Sequence, residues 1–166
     1  MKNKTKTVVL ALAFLLFGFF FNKTEIKATD FNENKIVELV NTKRADINLP
    51  ALKINTQLNE AAKNKALDMF KDQYWAHNSP SGKTPWTFIR AAKYKYRYAG
   101  ENLAKGFESE SSLVEGWMNS TSHRENMLSK KYNEVGIADV EGTLNGEKVT
   151  LTVMMMGNRS VTLSLR

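Results

Sequence analysis

An α+β fold is what this sequence predicts, and three observations predict it. Helical periodicity dominates the earlier part of the chain, two hairpin-linked strands close it, and strand–helix–strand alternation is absent. No repeats and no low-complexity linker divide the 166 residues. A single domain is therefore expected.

The first helix is expected over residues 32–46, NENKIVELVNTKRAD, where Ile36, Leu39, Val40 and Lys43 fall at helical spacing. Asp30 or Asn32 is its candidate cap. NLPAL breaks the pattern. Residues 56–72 repeat it with Leu58, Ala61, Ala62, Ala66, Met69 and Phe70, behind Asn55 or Thr56 as cap. The alanines imply close packing. NSPSGK reads as a loop. Thr84 before Pro85 reads as an N-cap and first helical position, which predicts a short helix over 85–92.

Tyr94, Tyr96 and Tyr98 alternate with Lys95 and Arg97, a period of two suited to an extended segment. One strand face then packs its tyrosines inward and solvates its charges. The basic run Arg90, Lys93, Lys95 and Arg97 is also a candidate for an anionic polymer. Ser109 with Glu110 starts a helix to about Met118. Ser122 to Glu125 has the spacing of a capping box, which places Ser122 at the N-cap and His123 at the first helical position. EVGIADVEG and EKVTLTVMMMGN read as strands joined at Asn145-Gly146. The three methionines 154–156 are expected in the core, and the tail SVTLSLR as a further extended piece.

The N-terminus reads differently. Lys2, Lys4 and Lys6 precede an apolar run from Val8 to Phe21, too short for a comfortable membrane span and suited to a signal peptide. Residues 1–28 are expected to be a signal peptide cleaved after Ala28, or an uncleaved anchor, since Ile26 is large for the −3 position. Residues 29–166 form the domain. Five of the 24 basic residues and one of the 17 acidic residues lie in the leader, which leaves 19 and 16 and a net charge of +3. That balance does not suggest nucleic acid. The absence of cysteine from an exported chain fits bacterial secretion.

Few residues can carry chemistry. His77 and His123 are the only histidines, both in polar, turn-rich surroundings. A helix start disfavours the imidazolium of His123 and suits it to metal binding; from the residues alone, an exposed or hydrogen-bonded structural role is the better reading of both histidines. Glu101, in AGENLAKG, falls near where a strand meets a loop. It is a candidate third member of a His/His/Glu set or a loop hydrogen-bonding residue. No H-E-x-x-H, C-x-x-C or phosphate-binding loop is present.

Taken in order, NTKRADINLPALKINTQLNEAAKNKA, AHNSPSGKTPWTFI, YRYAGENLAKG, VEGWMNSTSHRENMLSKKYNEVGIA and the closing strand resemble the CAP superfamily of SCP-like extracellular proteins, in its cysteine-free bacterial branch. The resemblance covers nearly the whole exported part. It implies an α-β-α sandwich with a central, mainly antiparallel sheet. It also implies a cleft in which His77, Glu101 and His123 match family positions. The fourth acidic position falls on Ser120, a departure that replaces a carboxylate by a hydroxyl. Trp117 and Leu128 are expected in the core, with Arg124 and Asn126 fixing the loop.

What the resemblance implies for function is a secreted or cell-envelope binding module, with no catalytic residue. His77, His123 and Glu101 would hold a divalent cation, zinc foremost. Its partner would be an envelope, lipid or protein ligand, with no nucleic acid and with membrane contact only through the N-terminal segment. One alternative is a hydrolase of envelope or peptides. It would use zinc with Glu101 as ligand or base, or Ser120 or Ser122 activated by His123. Another is a structural or adhesive domain with a vestigial cleft.

Overall fold

The computed structural model describes residues 27–28 and 31–159. The expected leader, apart from Lys27 and Ala28, and the expected extended tail lie outside the described residues. The elements are β1 (Lys27–Ala28), α1 (Glu33–Ala45), β2 (Lys53–Ile54), α2 (Thr56–Lys71), α3 (Pro85–Ala91), β3 (Tyr96–Lys105), α4 (Glu110–Asn119), α5 (Thr121–Met127), β4 (Glu134–Leu144) and β5 (Glu147–Arg159).

Local chemistry sets most of the boundaries. Asn32 and Asn55 cap α1 and α2, each side chain accepting two backbone N–H groups of the first turn. Thr84 and Pro85 open α3, and Ser109 caps α4. Asn145 and Gly146 both take positive φ, 51° and 87°, as the tight turn between β4 and β5 requires.

The sheet runs β1-β4-β5-β3, with β2 paired parallel to the first residues of β4 and every other pairing antiparallel. Side chains alternate across it. Val153 and Met155 face a core with Leu58, Ala62, Met69 and Phe88 of α2 and α3. Met154 and Met156 face a second core with Ile36, Val40, Leu113 and Trp117 of α1 and α4. Helices thus cover both faces, giving the expected α-β-α sandwich. Burial on both sides is why Val153 to Met156 reads as an unbroken apolar run within β5.

Gly136 is where α2 meets the sheet most closely. A Cβ there would lie 2.1 Å from the Leu58 carbonyl carbon and 2.2 Å from the Asn59 nitrogen, both backbone atoms. Gly136→Ala is expected to cost about 3 kcal/mol, since backbone on both sides must move. A urea midpoint equal to wild type would refute this contact.

Four sequence expectations change. The strand predicted near Tyr94–Tyr98 runs on to Lys105, so Glu101 sits in mid-strand and not at a strand–loop junction. The register shifts between Tyr96 and Tyr98, which breaks the alternation; Tyr94 is buried, whereas Tyr98 is exposed. The last of these helices starts earlier than Ser122: Ser120 ends α4 and begins α5, in an extended conformation. His123 is therefore in the third helical position, and Ser122 and Glu125 form no capping box. Met127 is fully buried, whereas Leu128 is half-buried.

Candidate functional site

β3 is an edge strand, and the candidate cleft lies across it. The α2–α3 layer reaches over one side of the strand and α5 over the other. The cleft holds about 380 Å³, and His77, Trp86, Glu101, His123, Asn126 and Tyr132 are among its lining residues. Two sequence stretches 46 residues apart thus meet over a third.

The floor is built from the GEN triplet. Gly100 is needed because a Cβ would come 2.6 Å from the Tyr132 hydroxyl. Glu101 points to the α2 side and Asn102 to the α5 side, as neighbours on a strand must. Asn102 Nδ2 donates to the His123 carbonyl at 3.0 Å. Asn126 Nδ2 donates to Asn102 Oδ1 at 2.9 Å and to the Glu101 carbonyl at 3.1 Å. Arg124 donates to the Met118 carbonyl at 2.7 Å and fixes the α4–α5 corner. Asn126 and Arg124 therefore do hold this region.

His77 and Glu101 are in direct contact, Nδ1 to Oε1 at 2.6 Å. The His77 side chain is 59% exposed while that of Glu101 is 2% exposed. An ionised carboxylate only accepts, so Nδ1 donates and Nε2 is left with its lone pair. The hydrogen bond to Glu101 raises the His77 pKa above its ordinary value, outweighing the opposing effects of burial and Lys65. Burial raises that of Glu101, against the pull of His77 and Lys65. His77 therefore keeps its second ring proton to higher pH than a free imidazole. Glu101 Oε2 is buried with no hydrogen-bond partner.

His123 is held separately. Its Nδ1 lies 2.8 Å from Ser120 Oγ. Burial, and secondarily the charge of His77, lowers its pKa, so it stays neutral. Ser120 is thus behind His123 rather than on the cleft wall. Among the described residues, no group of three or more His, Cys, Asp or Glu side chains is arranged to hold a metal ion.

Several contributors escape sequence reading. Lys65 is fully buried under the cleft loop, its Nζ donating to the carbonyls of Ala76 and His77, each at 2.8 Å, and to the Tyr74 hydroxyl at 3.0 Å. Tyr74 donates to Asp68 at 2.8 Å, and Lys83 also bonds Asp68, closing the loop's base. Lys65 had a visible signal: it falls within the stripe Leu58, Ala61, Ala62, Ala66, Met69. Trp86 and Tyr132 had none.

A sequence model of the cysteine-rich secretory protein family, CAP, matches residues 37–155. The uncharacterized protein YkwD of Bacillus subtilis is 37% identical over 109 residues, 66% of this chain and 42% of that protein. An uncharacterized protein of Borreliella burgdorferi is 28% identical over 116 residues, 70% of this chain and 72% of that one. This chain spans less than half the length of the first two relatives it matches, YkwD and the membrane protein YlbC of B. subtilis. Among solved structures, an extracellular SCP-domain protein from Bacillus anthracis shares 26% identity with a TM-score of 0.65, over 77% of this chain and 40% of that one. An outer surface protein of Borrelia burgdorferi has a TM-score of 0.68 at 22% identity, a likeness of fold, over 81% of this chain and all of that one. Among the described residues, no helix is long and apolar enough to cross a membrane.

Proposed function

This chain belongs to the cysteine-rich secretory protein (CAP) family, and from that premise we propose an exported, non-catalytic binding domain whose ligand enters the cleft between His77 and His123. The observation that carries this is the separation of the two hydrogen-bonded pairs. A serine hydrolase needs one imidazole between the hydroxyl and the carboxylate. Here Ser120 is bonded to His123, and Glu101 to His77. No single histidine links serine to acid, which weighs against the serine-hydrolase reading.

A divalent cation, zinc first, is the ligand that fits the donors. Glu101 fixes His77 from behind, as carboxylates fix metal-binding histidines. His77 and His123 would be the ligands through Nε2, and Glu101 acts through His77 rather than as a third donor. Two imidazoles leave coordination positions for water or for a ligand group. A bound cation would supply a Lewis-acidic centre for such a group.

Calorimetric titration of the metal-stripped full chain with zinc tests this. Saturable binding near one equivalent is expected, and its loss in His77→Ala/His123→Ala. Protons compete for the same nitrogens. Affinity should therefore rise with pH through the His77 titration, above the ordinary imidazole value of about 6.5. His123, with its lowered pKa, is already neutral there. Glu101→Gln should shift that rise to lower pH by removing the charge that holds the His77 proton. Equal binding by the double variant would sink the metal reading and leave the vestigial-cleft alternative.

A further inference from the structure

We propose a second binding site, in the groove between the end of α3 and the start of β3, for a linear polyanion built of hydroxylated units. The groove holds about 560 Å³ and is lined by Arg90, Lys93, Tyr94, Lys95 and Tyr96. The three cations are exposed, and none is in an ion pair among the described residues. The acid beside the groove, Glu134, is engaged by Tyr94 Oη at 2.7 Å, Asn55 Nδ2 at 2.8 Å and Arg159 Nε at 3.2 Å.

The backbone fixes the position of Lys93. α3 ends in a Schellman arrangement, with Tyr94 N–H donating to the Ile89 carbonyl at 3.2 Å and Lys93 N–H to that of Arg90 at 3.0 Å. The left-handed residue in this arrangement is Lys93, at φ +63°. Glycine fits that position without strain, and a lysine does not. Gln73 takes the corresponding position at the end of α2, at φ +51°, so the conformation fixes where Lys93 sits rather than marking a ligand.

The Tyr96 ring gives the groove its aromatic surface, since Tyr94 is buried. Arg90 Nη1 donates to Tyr96 Oη at 3.2 Å and steadies the ring. The Trp86 ring lies 6.3 Å from that of Tyr96, and Trp86 also lines the cleft. Groove and cleft therefore adjoin through Trp86, but polyanion binding needs neither histidine. Repeated negative charges along a chain match cations set on the end of a helix and the turn that follows it.

The test is fluorescence anisotropy of the full chain with two labelled probes, linear poly(glycerol phosphate) and polygalacturonate, at low and high salt. Binding of at least one probe, weakened by salt, is expected. Arg90→Gln/Lys93→Gly/Lys95→Gln should weaken it by at least about tenfold. Lys35→Gln/Lys43→Gln/Lys148→Gln removes the same charge elsewhere and should weaken it much less. Lys93→Gly alone should bind less tightly while melting at the same or a higher temperature, which separates binding from folding. The His77→Ala/His123→Ala variant should bind as wild type. The probe that binds tells phosphodiester from uronate. Failure of both probes, equal losses in the two triple variants, or tighter binding of single-stranded DNA than of either probe would overturn the proposal.

Discussion

Arg44→Met is expected to destabilise the domain by about 3–5 kcal/mol, a large part of the stability of an ordinary domain. Arg44 is 1% exposed. Its guanidinium reaches from α1 to four carbonyls: Pro50 at 2.9 Å, Met127 at 2.7 Å, Ser129 at 3.0 Å and Tyr132 at 3.3 Å. No carboxylate among the described residues pairs with it. Burial lowers its pKa, but an arginine stays charged. Methionine fills the volume and leaves the carbonyls without a donor. Three of them belong to the segment from Met127 to Tyr132, which runs from the end of α5 to a cleft-lining tyrosine. A fall in melting temperature on the order of 10–20 °C is expected. Arg44→Lys should rescue little of it, because one ammonium cannot span the same carbonyls. A melting temperature within a few degrees of wild type would refute this role.

Lys65→Met has a second expected effect, on the site itself. The carbonyls of Ala76 and His77 lose their donor, and the cleft loop loses its tie to α2. Relief from burying an ammonium offsets part of this, so the net loss is about 2 kcal/mol. Burial lowers the Lys65 pKa, while Glu101 and Asp68 oppose that. The charge of Lys65 in turn lowers the pKa of Glu101 and of His77. Its removal should raise both. Proton NMR reads this cleanly, since the sequence has two histidines. The His77 titration should move to higher pH in Lys65→Met. Zinc affinity near neutral pH should then fall by about ten- to a hundredfold, as for other supports of a metal-binding histidine. An unmoved His77 titration would show that Lys65 is scaffold alone.

Much of the fold was legible because local signals agreed with the global one. Asn32, Asn55, Thr84-Pro85, Ser109 and Asn145-Gly146 each mark a boundary that the structure keeps. Their effects act within a few residues, so no tertiary knowledge is needed. The Ser122 capping box failed for a related reason. Two serines compete to start α5, and Ser120 wins because the chain must turn there from α4. Spacing alone could not weigh that turn.

The candidate site was legible only as a set of names. His77, Glu101 and His123 were singled out by residue type and by resemblance, and the structure brings them to one cleft. Ser120 stands behind His123, bonded to it. The two buried cations were legible only as a pattern without a meaning. Arg44 lies four residues after Val40, and Lys65 four after Ala61, each on its helix's buried face. The periodicity at the first of these points instead to Lys43, which the structure leaves half-exposed.

The sequence by itself determined the helices, the closing hairpin, the burial of the β5 methionines and a core built without cysteine. These follow from composition, periodicity and caps, which are properties of the chain and of neighbours along it. Tertiary structure decided which histidine receives Glu101, which receives Ser120, and what the buried Arg44 and Lys65 hold. Those choices depend on carbonyls and carboxylates far away in sequence, and burial makes each of them costly to leave unpaired.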